Sequence, residues 1–105
     1  MLKMKKMAET TNLLARLIIQ NTKGMDGEAF QMLRSDVSIF LTRLQAKVMV
    51  GPRTGCDEDA ITCVFEICPN QETAVTNYIH HERNLGEIAN VNVQFDPVNA
   101  VASWL

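Results

Sequence analysis

The chain has 105 residues, a hydrophobic fraction of 47%, 10 Lys and Arg against 12 Asp and Glu, and a formal net charge of −2. This length predicts a single domain over residues 1–105, with a core too small to enclose a deep active site. The apolar fraction excludes wholesale disorder, and no apolar run reaches the roughly 18 residues that a membrane span needs.

Charge and hydropathy patterning both change near residue 47. Residues 1–53 contain nine of the ten basic residues and only four acids, for a net charge of +5, whereas residues 54–105 have a net charge of −7. Apolar residues recur at helical spacing before the change and alternate at strand spacing after it. This break predicts two joined layers, a helical hairpin and a small sheet with its own helix.

The first predicted element is a helix over residues 3–22. Its apolar stripe is Met4, Met7, Leu14 and Ile18, at i, i+3, i+10 and i+14. Gly24 offers a left-handed stop. The first six residues are interpreted as a frayed extension, and the polar residues from Glu9 onward argue against a signal peptide.

A second helix is predicted over residues 26–46, with Asp26 as its N-cap. Its stripe is the cleanest periodic signal in the chain: Phe30, Leu33, Val37, Phe40 and Leu44. Ile39 and Leu41 lie off this stripe and indicate a second apolar face. The short connection makes the two helices antiparallel neighbours.

Strand signals dominate the acidic half. Residues 48–50 are β-prone, residues 51–55 contain Gly and Pro and are predicted as a loop, and residues 61–67 alternate with one strongly apolar face. After Pro69, residues 71–85 are predicted as a helix and residues 89–95 as another strand. Asp96 and Pro97 resemble a helix start, with a short amphipathic turn after them.

The predicted fold class is α+β, with element order ααββαβα. An N-terminal antiparallel helical hairpin packs on a sheet of about three strands, and a β-α-β crossover makes the strands at 61–67 and 89–95 parallel. These strands are adjacent, or the 48–50 strand lies between them. The predicted core is Leu33, Phe40, Leu44, Phe65, Val91 and Val93.

Catalytic and metal-binding chemistry is weakly represented. The potential ligands are Cys56, Cys63, Cys68, His80 and His81. Their gaps do not match the paired short spacings of structural zinc sites, and the two adjacent histidines diverge around a helix. Cys68 would lie about 15–18 Å from them along the predicted helix, too far for a nucleophile and its base. We therefore expect no enzyme, no cofactor and no bound metal.

The favoured function is that of a small non-enzymatic interaction or regulatory protein that binds another protein, as a homodimer. An odd number of cysteines fits a reduced cytoplasmic protein. The net charge, a pI of 5.6 and few aromatic residues argue against nucleic acid. The predicted contact residues are apolar Ile39, Leu41, Trp104 and Leu105, with basic Lys5, Lys6 and Arg16 orienting the encounter.

The alternative is a small-ligand or nucleotide-binding module with its site at a subunit junction. Arg53, between Gly and Pro residues, could hold an anionic group. Asn90, Asn92 and Gln94 alternate with apolar residues and would share one polar strand face. No motif diagnostic of a known family appears in the chain.

Overall fold

The computed structural model describes residues 11–54 and 59–98. Its strands are β1 (Leu13–Gln20), β2 (Lys47–Thr54), β3 (Ala60–Ile67) and β4 (Asn90–Pro97), and its helices are α1 (Gly27–Leu44) and α2 (Glu72–Asn77). A 3₁₀ turn over Pro69–Gln71 precedes α2, a π-helical turn over Tyr78–Glu82 continues it, and a second 3₁₀ turn spans Leu85–Glu87.

The four strands form one sheet in the order β2-β3-β1-β4, and each strand is antiparallel to its neighbours. The described elements therefore follow one another as β-α-β-β-α-β, the ferredoxin-like or split β-α-β arrangement. The predicted order ααββαβα, with its helical hairpin and three strands, is wrong. The first described element is a strand, and it occupies the centre of a four-stranded sheet.

Segment 13–20 is a strand, and its successive side chains point to opposite faces of the sheet. Ala15, Leu17 and Ile19 are at most 2% exposed, whereas Arg16 and Gln20 point to the other face and are exposed. A central strand has hydrogen-bonding partners on both sides, and its short apolar run cannot be distinguished from a buried helix by periodicity alone. The methionines of the predicted helical stripe lie outside the described residues.

Strands β3 and β4 are both antiparallel to β1, and so they are parallel to each other, as predicted. The strand between them is β1, however, and the 48–50 segment belongs to the outer strand β2. The sequence interpretation could not place β1 there because it assigned that segment to a helix.

Helix α1 begins as predicted at Asp26, whose Oδ2 accepts a hydrogen bond of 3.1 Å from the Glu28 N–H. It ends before Gln45, which takes the left-handed conformation at φ 60° and donates its N–H to the carbonyl groups of Leu41 and Thr42. Gly24 is left-handed too, at φ 76°, but it lies in the turn between β1 and α1. It therefore ends no helix.

Two predicted boundaries in the acidic half are also corrected. The predicted loop at 51–55 is strand as far as Thr54, because register shifts around Val50 accommodate Gly51 and Pro52 on an edge strand. Strand β4 runs through Asp96 to Pro97, where a helix start was predicted. The rest of the predicted C-terminal turn, 99–105, lies outside the described residues.

Both helices pack on the same face of the sheet and enclose one core. Of the predicted core residues, Leu33 and Phe65 are buried. The other four are half-buried and pack against the core: Phe40, Leu44, Val91 and Val93. The buried positions of α1 are Phe30, Leu33, Val37 and Leu41.

Candidate interaction surface

An open groove runs between α1 and the turn that leads into β4. It encloses about 510 Å³, and α1 forms one wall while Arg83, Leu85 and Ile88 form the other. The α1 wall and the residues before it contribute Met25, Ala29, Met32, Leu33 and Asp36. Six of these eight lining residues are apolar, and the two charged ones form an ion pair with each other. The groove is therefore an apolar trough without a free charged group among its lining residues.

The rim of the groove exposes large apolar side chains. Met32 is 68% exposed on α1, and Ile88 is 40% exposed on the opposite wall. Ile39, 51% exposed, lies seven residues after Met32, which returns it to within about 20° of the same side of the helix. Contiguous apolar surface of this kind marks interaction sites more often than scattered single residues do.

A hydrogen-bonded cluster closes one end of the groove. The Tyr78 hydroxyl donates to Asp36 Oδ2, and Arg83 Nη2 donates to Asp36 Oδ1 at 2.7 Å. The Tyr78 ring also stacks on Phe40, with centroids 4.0 Å apart and planes inclined by 9°. Burial, followed by the hydrogen bond to Asp36, raises the pKa of Tyr78, so the hydroxyl remains a donor. The cluster fixes the segment after α2 against α1.

The π-helical turn explains how Tyr78 and Arg83 both reach Asp36. The Arg83 N–H bonds to the Tyr78 carbonyl at 2.9 Å, which is the i→i+5 bond of a π turn. Asn84 then takes the left-handed conformation at φ 48° and directs the chain into Leu85, which is fully buried. No sequence motif signals this cluster, because Asp36 lies 42 residues before Tyr78 and 47 residues before Arg83.

The three predicted partner-binding residues that the structure describes lie in different parts of the fold: Arg16, Ile39 and Leu41. Ile39 is exposed on the same side of α1 as Met32 but does not line the groove, whereas Leu41 is only 1% exposed and belongs to the core, because two residues correspond to about 200° around a helix. Arg16 lies on the other side of the sheet, away from the helices. The remaining predicted contacts lie outside the described residues: Lys5, Lys6, Trp104 and Leu105.

The alternative ligand-binding residues share the open face of the sheet, opposite the helices, but lie at its two edges. Arg53 is on β2, and Asn92 is on β4 in the same cross-strand row. Three strand spacings of about 4.8 Å separate them by roughly 14 Å. Gln94 instead accepts a 3.3 Å hydrogen bond from Arg16. The hydrogen bond therefore connects Arg16, a predicted partner contact, with Gln94, a predicted ligand-binding residue. The four predicted ligand-binding residues do not surround a common point.

The open face also lacks the features of an RNA-binding sheet. Sheets of this topology that bind RNA carry aromatic residues on their two central strands, on which bases stack. Here the outward residues of β1 and β3 are aliphatic, polar or charged: Leu14, Arg16, Ile18, Gln20, Ala60, Thr62, Val64 and Glu66. The two central strands therefore provide no aromatic stacking platform among the residues that the structure describes.

The cysteine and histidine residues that the structure describes do not form a reactive site. Cys63 is buried in the core, and burial raises the pKa of its thiol to about 12, so it stays protonated. Cys68, His80 and His81 are exposed. Within 11–54 and 59–98, no three His, Cys, Asp or Glu residues are grouped to hold a metal ion. Cys56 lies outside these ranges.

Fold and groove together define a small ferredoxin-like domain with an apolar trough on its helical side. Comparison of the sequence with models of known protein families gives no match, and comparison with curated proteins gives none either. In the part of the chain that the structure describes, no helix is long and apolar enough to cross a bilayer.

Proposed function

We propose that the chain is a non-enzymatic protein-binding module that receives an amphipathic helix of a partner protein in the groove. The observation that carries this proposal is the apolar groove with exposed Met32 and Ile88 on opposite walls. An apolar helix face laid into such a trough is a recurrent mode of peptide recognition. Unbranched methionine side chains adapt to the shape of a bound partner.

The dimensions of the α1 wall fit a helical occupant. The α1 residues that line the groove run from Ala29 to Asp36 and advance by about 10 Å, or two turns, which matches apolar anchors at i, i+3 or i+4, and i+7. Because Asp36 and Arg83 already satisfy each other, the groove favours an apolar anchor over a charged one. Homodimer formation and a cytoplasmic location, both predicted from the sequence, remain part of this proposal.

Paired charge substitutions test the proposal. Met32→Glu with Ile88→Glu should abolish binding of the partners that the wild-type chain captures, as identified by mass spectrometry, because two carboxylates would be desolvated on docking. Val48→Glu with Met49→Glu is the matched control, since these residues are 44% and 53% exposed on β2. Capture that both variants retain equally would show that the groove is not the binding site.

The small-ligand alternative keeps one supporting observation. Asn90, Asn92 and Gln94 are all exposed on the open face of β4, at an edge of the sheet where a second subunit could complete a site. A ligand that binds the folded state raises the melting temperature by mass action. A nucleotide or metabolite that does so, and whose effect disappears in Asn92→Ala, would favour this function over helix binding.

A further inference from the structure

The two edges of the sheet are protected to very different degrees. Strand β2 has register shifts around Val50, a proline within the strand and basic residues at Lys47 and Arg53. Bulges, proline and charged side chains are the devices by which proteins prevent strand-to-strand association. Edge β2 is therefore a poor template for another strand.

Strand β4 has fewer of these devices, and Asp96 is its only charged residue. It pairs with β1 without a register shift over all eight residues, from Asn90 to Pro97, and contains no Lys or Arg. Proline occurs only at its last position. Alternate residues of an antiparallel strand direct their N–H and C=O groups to the same side, so about half of the β4 peptide groups point away from β1. Among the described residues, no strand pairs with that side.

The helix-facing side of β4 is also incompletely covered. Val91, Val93 and Phe95 pack against the core but remain half-buried, whereas the corresponding residues of β1 are at most 2% exposed. Val98, just beyond the strand, is 37% exposed. A strand placed beside β4 would cover this apolar row and satisfy the outward peptide groups at the same time.

From these observations we infer that β4 is the homodimer contact, where two copies pair their β4 strands antiparallel and form a continuous eight-stranded sheet. This inference rests on the homodimer part of the proposed function. A two-fold axis at Val93 pairs residues of the same face, with Val91 opposite Phe95 and Asn92 opposite Gln94. It sets Asp96 opposite Asn90, so no carboxylate faces its own copy.

The test places charges on the exposed face of β4. Asn92→Lys with Gln94→Lys should raise the dimer dissociation constant at least about tenfold, because the two-fold axis sets lysines opposite lysines. Both side chains are exposed, and the Gln94 substitution replaces only an exposed 3.3 Å hydrogen bond from Arg16 with a solvent-screened like-charge pair, so the monomer should remain folded, as circular dichroism would show. Val48→Lys with Met49→Lys adds the same charge on β2 and should leave the dimer intact. Sedimentation equilibrium of the full chain measures the dimer dissociation constant of each variant.

A mixing experiment identifies the pairing directly. Asn92→Glu with Gln94→Glu should be monomeric alone, yet an equimolar mixture with the lysine variant should restore a dimer, since opposite charges then face each other. Hydrogen exchange provides a second measure, because protection of the outward β4 amides should increase with protein concentration.

Several outcomes would overturn the inference. The inference is wrong if the wild-type chain is monomeric at high micromolar concentration. It is also wrong if Val48→Lys with Met49→Lys abolishes the dimer while Asn92→Lys with Gln94→Lys leaves it intact. β4 amides protected equally at all concentrations in a monomer would indicate that another segment of the same chain covers the edge. The groove proposal is tested separately, because partner capture sensitive to Met32→Glu with Ile88→Glu could persist in a monomer.

Discussion

Replacing Tyr78 by Phe tests the cluster that closes the groove. The substitution removes the hydroxyl that donates to Asp36 and leaves the ring stacked on Phe40. A hydrogen bond to a charged group contributes about 1.5–3 kcal/mol. The Asp36 side chain is 29% exposed and keeps its 2.7 Å contact with Arg83, so water and the guanidinium compensate part of the loss. We expect the free energy of unfolding to fall by about 1–2 kcal/mol.

Urea denaturation followed by circular dichroism at neutral pH measures this difference. Arg83→Gln is the matched control, because Arg83 is 46% exposed and an exposed ion pair contributes at most about 1 kcal/mol. Tyr78→Leu removes the stacked ring as well and should destabilise the chain more than Tyr78→Phe does. The reasoning is refuted if the free energy of unfolding of Tyr78→Phe lies within about 0.3 kcal/mol of the wild-type value while Arg83→Gln is strongly destabilising. In that case the Tyr78 hydroxyl does not hold the segment after α2 against α1.

Three further predictions follow from burial. Between pH 9 and pH 12 the Cys63 thiol ionises in the unfolded chain but not in the folded one, so the free energy of unfolding should fall as the pH rises. In Cys63→Ala, this fall should be smaller by about 1.4 kcal/mol per pH unit, as urea denaturation at a series of alkaline pH values would measure. Phe40→Ala should cost about 2 kcal/mol in urea titrations, less than the 3–5 kcal/mol of a fully buried Phe, because Phe40 is half-buried; a loss above 4 kcal/mol would contradict this. Ile39→Asp should leave the melting temperature nearly unchanged, whereas Leu41→Asp buries a carboxylate in the core and should prevent cooperative unfolding. If the two variants behaved alike, the assignment of Leu41 to the buried face of α1 and Ile39 to the exposed face would be wrong.

The elements that could be predicted from the sequence are those with one buried face. Helix α1 and strand β3 each alternate between core and solvent with the period of their own secondary structure, and α1 also has a capping Asp26. Strand β1 is different because its apolar residues do not alternate with polar ones. Leu14 is buried on the face opposite the helices, and Leu17, Ile18 and Ile19 are consecutive. Its local sequence is compatible with a buried helix as well as with a strand.

The candidate surface was less predictable than the fold. The sequence pattern predicts that both Ile39 and Leu41 lie outside the core stripe, but only Ile39 is exposed, because the buried stripe of α1 includes Leu41 and leaves Phe40 half-buried. The groove itself depends on the chain reversal at Asn84 and on the contact between Asp36 and Arg83. A tertiary contact of this kind has no local signal, because each of its residues is an ordinary polar residue in its own segment.

The groove and the β4 edge are related by the geometry of the fold. Ile88, on the groove wall, lies two residues before β4 begins, and both helices cover the same face of the sheet. Antiparallel pairing of two β4 strands requires a two-fold axis perpendicular to the sheet, which keeps both helical layers on one side. Two grooves would then open on that side and could bind two helices of one partner. Since a second linked contact is intramolecular, such a dimer would bind a two-helix partner far more tightly than either groove alone. A partner with one helix would gain nothing from dimerisation, so comparing the two kinds of partner separates the contributions of groove and edge.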